Sequence, residues 1–253
     1  MNTSEVIKSF EPKEELNPKI WYLPNEKHMG DPEGQKMKVK PEVRNRLLEI
    51  ANQFIEYLKI ELIVTDIVLT GSLANYNWSK YSDFDIHIIA NFNQFPSSHV
   101  DLYKELFMLK KAIFNKNHDI RIFGYETELY VESEDEAHFS SGVYSLLYDD
   151  WQNKPKKENV KIDKNTIERK AKQWMDNIDG VLENIEDEDI EDAKELISKY
   201  KDKLKKFRTC GLQTGGEYSS ENLVFKILRR NGYLEKLSDA SHKVLEKGLS
   251  MKQ

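Results

Sequence analysis

Two aspartates and a histidine alternate with apolar residues in Asp83-Phe84-Asp85-Ile86-His87-Ile88-Ile89. On a strand, alternate side chains share a face, so Asp83, Asp85 and His87 point one way and Phe84, Ile86 and Ile88 the other. Two rises of roughly 3.3 Å separate the aspartate backbones, close enough for both carboxylates to reach one hard cation or to bridge two. Two acids on one face of a mostly buried strand need a compensating partner, because unpaired buried charge is expensive. The usual partner is Mg²⁺, which takes one or two carboxylates and fills its shell with phosphate oxygens and water. Upstream, the apolar run Ile67-Val68-Leu69 stops at Gly71-Ser72, as a buried strand does at a turn. Glycine lets a backbone approach a phosphate closely, and the Ser72 hydroxyl can donate to it. A helix starting near Leu73 would aim free N–H groups at the same anion. The stretch 67–89 therefore reads as strand, glycine turn, short helix and second strand.

Gly-Ser, ten residues, then Asp-apolar-Asp-apolar resembles the signature of the DNA polymerase beta-type nucleotidyltransferase superfamily. Over most of its length the chain is also similar to small nucleotidyltransferase-like proteins of phages and bacteria, on LTGSLANYNWSKYSD, SGVYSLL and ENLVFKILRRNGY. The resemblance implies an α/β nucleotidyltransferase fold, a mixed β-sheet with flanking helices, followed by an α-helical C-terminal domain. It implies transfer of a nucleoside monophosphate from an NTP such as ATP, with pyrophosphate leaving and Mg²⁺ or Mn²⁺ as the cofactor. On its pattern Gly71 and Ser72 hold the nucleotide, and Asp83 and Asp85 are the catalytic metal ligands.

The superfamily pattern usually ends with a third acid on a neighbouring strand, and DIRIFGYETELYVES supplies candidates. Glu126, Glu128, Tyr130 and Glu132 share one face, while Thr127, Leu129 and Val131 share the other. Gly124 marks a bulge, a bend or a break between two short strands. Glu128 is the expected catalytic acid and third metal ligand, because Thr127, Leu129 and Val131 give it the more continuous buried-strand context. Glu126 follows Gly124 by two residues, where a bulge could turn it aside, and Glu132 lies near the strand end. A half-solvated surface strand would show the same alternation. The acceptor is open: an RNA 3′ end is the first expectation, with a small molecule such as an antibiotic, a protein or a second nucleotide as alternatives. A catalytically idle member that only binds nucleotide is a reading of a different class.

Other elements must position these residues. Pro41 opens a helix in PEVRNRLLEIANQFIEYL, with Val43, Leu47, Ala51, Phe54, Ile55 and Leu58 at helical spacing. After the acid strand, NFNQFPSS is a loop, and HVDLYKELFMLKKAIFN is a second helix carrying Val100, Tyr103, Leu106 and Leu109. Residues 133–153 combine an acidic turn with an aromatic patch. There Tyr144, Leu146, Leu147, Tyr148 and Trp151 close the core, or Tyr144 or Tyr148 stacks on a base. Residues 1–40 read as an irregular arm, broken by Pro12, Pro18, Pro24, Gly30, Pro32 and Gly34. Ile20-Trp21-Tyr22-Leu23 would pack that arm on the catalytic domain, residues 41–153.

Composition changes at Lys154, where the helical domain, residues 154–253, begins with eight Lys/Arg against three Asp/Glu over 154–172. Ile167, Ala171, Trp174, Met175, Ile178, Leu182 and Ile185 trace one helix face. After the acidic run 186–189, Ile190, Ala193, Ile197, Tyr200, Leu204 and Phe207 form a narrow seam of a second helix. The two read as an antiparallel hairpin. KYKDKLKKFR carries six basic residues against one acid, either a solvated face or a surface for phosphates in which Lys201, Lys205 and Arg208 would serve an RNA acceptor. Gly215-Gly216 is a loop, Ser219 or Ser220 caps a helix to Arg230, Asn231-Gly232 ends it, and a last helix covers 233–248.

The 253 residues are 32% charged with a formal net charge of −6, so the whole surface is not a general nucleic-acid magnet. The single cysteine, Cys210, excludes an internal disulfide and suits a reducing compartment. The polar, acidic start is unlike a signal peptide, and no apolar run approaches the ~20 residues of a membrane span. No membrane partner is expected, and a cytoplasmic setting is, the host cytoplasm if the chain is phage-encoded.

Overall fold

The structure is a computed structural model that describes residues 3–24, 37–136, 140–185 and 189–250. In chain order its elements begin with α1 (Thr3–Lys8), β1 (Trp21–Tyr22), β2 (Lys38–Val39), α2 (Pro41–Leu58), β3 (Val64–Thr70), β4 (Phe84–Ala90) and α3 (Val100–Asn117). They continue with β5 (Arg121–Ile122), β6 (Tyr125–Ser133), β7 (Val143–Ser145), β8 (Asp150–Asn153), α4 (Lys164–Asn184), α5 (Ile190–Gly215), α6 (Ser220–Arg230) and α7 (Tyr233–Leu249). The chain divides into two compact units: Pro12–Asn159, and Met1–Glu11 together with Val160–Gln253.

The first unit is built on a six-stranded sheet in the order β5-β6-β4-β3-β7-β8. β4 and β6 pair in parallel, and every other pairing is antiparallel, so the sheet is mixed. The parallel pair needs a crossover, which contains α3, because two parallel strands cannot be joined by a tight hairpin. Alternation along the strands sorts the residues. Phe84, Ile86, Ile88, Ile67, Leu69 and Leu129 are buried in one core with Val43, Leu47, Ala51, Phe54 and Leu58 of α2 and Phe107 and Phe114 of α3. Fully burying each large apolar side chain is worth roughly 1.5–3 kcal/mol, so this face holds the sheet in register. Asp85, His87, Glu128, Tyr130 and Glu132 are left on the other face.

The sequence left the break at Gly124 open among a bulge, a bend and two strands. The structure resolves it as a two-residue hairpin turn between β5 and β6, with φ 52° at Phe123 and 87° at Gly124. Positive φ at both central residues is the twist that suits a tight hairpin. The expected helix after Gly71 is a single 3-10 turn, Ser72–Ala74, because Asn75 returns to extended backbone at φ −147°. Asp83 stands one residue ahead of β4 rather than within it. Of residues 1–40, the first stretch is a short helix, and Leu16, Ile20, Trp21 and Val39 enter the sheet core. Gly30, Pro32 and Gly34 lie outside the described residues.

The second unit is helical. Asp163, Asp189 and Ser219 cap α4, α5 and α6 by accepting from the N–H groups of Thr166, Glu191 and Asn222 at 3.1, 3.0 and 3.3 Å. Residues 186–188 of the acidic run lie outside the described residues. Val181 of α4 and Ile185 just past its end meet Ala193 and Ile197 of α5 and Ala240 and Val244 of α7. α1 packs on α4 and α6, with the Arg230 guanidinium 4.9 Å above the Phe10 ring. No helix of the described residues is long and apolar enough to cross a membrane.

Candidate active site

β3 ends where Gly71 takes φ 74° and ψ −161°, a backbone conformation that glycine adopts freely and other residues do not. Space imposes the same choice, since a Cβ added to Gly71 would overlap the carboxylate of Asp85. The turn that follows is pinned from two sides. The Trp21 indole N–H donates to the Leu73 carbonyl at 2.7 Å. The Ser72 hydroxyl donates to Ser82 Oγ at 2.7 Å, and Ser82 Oγ also accepts from the Ser79 N–H at 2.9 Å. Ser72 is thereby tied to the residue just ahead of Asp83.

Register brings the acids together. Asp85 lies opposite Thr70 of β3 and beside Glu128 of β6. One carboxylate oxygen each from Asp83, Asp85 and Glu128 lies within 4.8 Å of the other two, and all three residues are half-buried. Glu126, one pleat repeat away, is exposed and pairs with Arg121 across the hairpin. Glu132 shares the acid face, but its Oε1 lies 2.7 Å from His87 Nδ1. The structure thus groups Glu128 with the aspartates and leaves Glu126 and Glu132 outside the group.

A second layer holds Glu128. The Tyr130 hydroxyl donates to Glu128 Oε2 at 2.5 Å. Lys111 of α3 places its Nζ 3.6 Å from the same oxygen and 3.3 Å from the Tyr130 ring centroid. The His87 ring stacks on Tyr130 with centroids 4.6 Å apart and planes 11° from parallel. Burial first, then the hydrogen bond to Glu128 and the charges of Glu128, Asp85 and Asp83, push the Tyr130 phenol far above its ordinary range. It therefore stays protonated and remains a donor.

Lys111 and Ser82 did not stand out in the sequence, Trp21 did so only as an apolar anchor of the N-terminal arm, and Tyr130 only by sharing a face with Glu128. Tyr144, a candidate for stacking on a base, is fully buried, edge-on to Trp21 and Trp151 at 5.1 Å from each ring. It is core. Tyr148 is exposed and donates from its hydroxyl to the Thr65 carbonyl at 3.3 Å. Asp66 is also buried. Desolvation raises its carboxyl above the ordinary range, although Ile67 N–H and Ser145 Oγ donate to it at 2.7 and 2.8 Å.

The donor set suits a hard divalent cation. Three carboxylates converge, one lysine stands against them, and the oxygens are of the kind that Mg²⁺ and Mn²⁺ take. A family model described as a nucleotidyltransferase domain matches residues 49–209. No curated protein matches the chain. Among solved structures, the STING-associated CdnE c-di-GMP synthase from Capnocytophaga granulosa is similar at 13% identity, covering 98% of this chain and 100% of that one with a TM-score of 0.23. At that score the likeness carries no argument about substrate.

Proposed function

The chain belongs to the nucleotidyltransferase domain family, and from that premise we propose a divalent-metal-dependent transfer of NMP from an NTP to an RNA 3′ hydroxyl, with Asp83, Asp85 and Glu128 as the catalytic acids. The observation that carries the reading is the convergence of these three carboxylates beside the glycine turn. When bound, the metal supplies charge neutralisation on the triphosphate and a lower pKa for the attacking hydroxyl. The protein's own groups do the rest. Gly71 gives a phosphate close access to the backbone. The Ser72 hydroxyl turns from Ser82 to the nucleotide. Tyr130 and Lys111 hold Glu128 through Oε2. In-line geometry then follows from positioning, the main contribution a protein makes to phosphoryl chemistry.

Support for an RNA acceptor comes from the helical unit. Lys201, Lys205 and Arg208 line a groove of about 320 Å³ together with Leu204, Leu212 and Phe225. A cationic surface of this kind tracks phosphates. The test is incubation of the purified chain with each labelled NTP, Mg²⁺ or Mn²⁺, and total RNA. Label should enter RNA with wild type and with Glu126→Gln. It should be lost with Glu128→Gln, which retains NTP binding. Label in a small product or in protein would redirect the acceptor. An active Glu128→Gln beside a dead Glu126→Gln would move the third catalytic acid to Glu126.

A further inference from the structure

α3 is apolar on two sides. One side is used: Phe107 and Phe114 are buried in the sheet core. The other runs through Leu102, Leu106, Leu109 and Ile113, at successive steps of four, three and four. Leu102, Leu109 and Ile113 are 61%, 63% and 49% exposed, and Leu106 is half-buried. Met108, 70% exposed, flanks the row. A surface helix ordinarily turns charge to water on the side away from its core, and a contiguous wet apolar strip marks a contact surface.

We propose that this strip is a self-association seam, through which two copies of the chain pair their α3 helices in parallel about a two-fold axis. The spacing fits that occupant. Steps of four, three and four put Leu102 and Leu109 at d positions and Leu106 and Ile113 at a positions of a heptad, the arrangement that lets side chains of one helix enter the gaps of its equal. A two-fold axis presents the same strip twice, so no second surface has to be found.

Charge sets the direction. Glu105 then falls at a g position and Lys110 at an e position. In a parallel pair, g on one helix faces e of the following heptad on the other. Glu105 would meet Lys110 of the second copy, and the symmetry repeats the pair. An antiparallel pair sets g against g and e against e, which offers Glu105 only Glu105 or Ala112, and Lys110 only Lys110 or Tyr103. Glu105 is exposed. Lys110 now lies 5.2 Å over the Tyr57 ring with its Nζ 3.4 Å from the Tyr57 carbonyl. Its flexible stem allows it to turn toward a partner. Four seam residues per chain make a small interface, so the dimer is weak, with a Kd of about 10–100 μM.

Sedimentation of the full chain from about 1 to 200 μM tests this, since mass action makes the dimer fraction concentration-dependent. Wild type should pass from monomer to dimer across that range. Leu109→Glu should raise the Kd at least about tenfold, with an unchanged melting curve at about 1 μM, where wild type is also a monomer and the site is exposed. Glu105→Lys and Lys110→Glu should each weaken the dimer, and the double swap should restore it. A monomer throughout, a dimer indifferent to Leu109→Glu, or a double swap weaker than either single change overturns the proposal. None of these readouts depends on the transferase reading.

Discussion

The acid face of the sheet and the basic groove of the helical unit carry opposite charges and place them by opposite means. Two of the three acids have their positions set by strand pairing: Asp85 sits beside Glu128 because Phe84 to Ala90 are locked in register with Thr127 to Ser133, and Asp83 directly precedes β4. Tyr130 and Lys111 then fix the Glu128 carboxylate itself. In the groove only Arg208 is comparably held, 4.6 Å over the Phe225 ring with its Nε 3.3 Å from Asn222 Oδ1. Burial first, and then nearby Arg229, lower the pKa of that guanidinium. Lys201 and Lys205 extend from α5 with no ion pair among the described residues. A sheet ladder locates a side chain, whereas a helix surface chooses only its direction. Losses on the sheet should therefore be steep, and losses in the groove graded.

The strongest way to break that contrast is Gly71→Ala. A methyl there meets the Asp85 carboxylate and a positive φ at once. Displacing a reacting group by about 1 Å can cost about 10²-fold, so kcat at saturating NTP should fall at least that far. Folding stability should drop by about 1–3 kcal/mol for a backbone conformation that is essentially glycine's alone, read from denaturant melts. Full turnover would mean that the turn does not constrain the acids. Tyr130→Phe comes next. It keeps the ring that stacks on His87 and removes one hydrogen bond. The expected loss is about 10–100-fold in Mn²⁺ affinity, the usual effect of removing a partner of a metal ligand. Free Mn²⁺ measured by EPR, without nucleotide, checks this apart from turnover. Equal affinity would reduce Tyr130 to packing.

The mildest change should be Lys201→Glu, Lys205→Glu and Arg208→Glu together. Transfer to a short acceptor should change only a few-fold, since Lys201 and Lys205 act mainly through solvent and Arg208 belongs to the helical unit, not to the sheet that carries the acids. The log–log salt slope of RNA affinity should fall by about two to three. An unchanged slope in an enzyme that labels RNA would make the groove an ordinary solvated face.

Local signals served the sheet well. The Gly-Ser turn and the Asp-Phe-Asp alternation were readable because both depend on neighbours within a few residues; parity put Glu126, Glu128 and Glu132 on one face, and the apolar flanks of Glu128 singled it out. Pro41 and Leu58 marked α2 for the same reason, through a proline at its first position and one apolar stripe. The support around the acids was not readable. Lys111 reaches Glu128 only because a crossover helix packs alongside β6, and the link from Trp21 to Leu73 joins distant parts of the chain. The two apolar sides of α3 were equally hidden, since periodicity counts leucines and phenylalanines alike. Only the packed sheet decides that Phe107 and Phe114 go in.

The parallel pairing of β4 with β6 also sets an order of events in time. Asp83 and Asp85 can meet the glycine turn as soon as a local β3–β4 pair forms. Glu128 arrives only after the whole crossover has been synthesised and its loop closed, a slower, entropy-limited step. During synthesis the nascent chain therefore passes through a stage that has two acids and lacks the third. The site cannot be complete until α3 has found its place beside β6, so competence waits on the docking of the crossover.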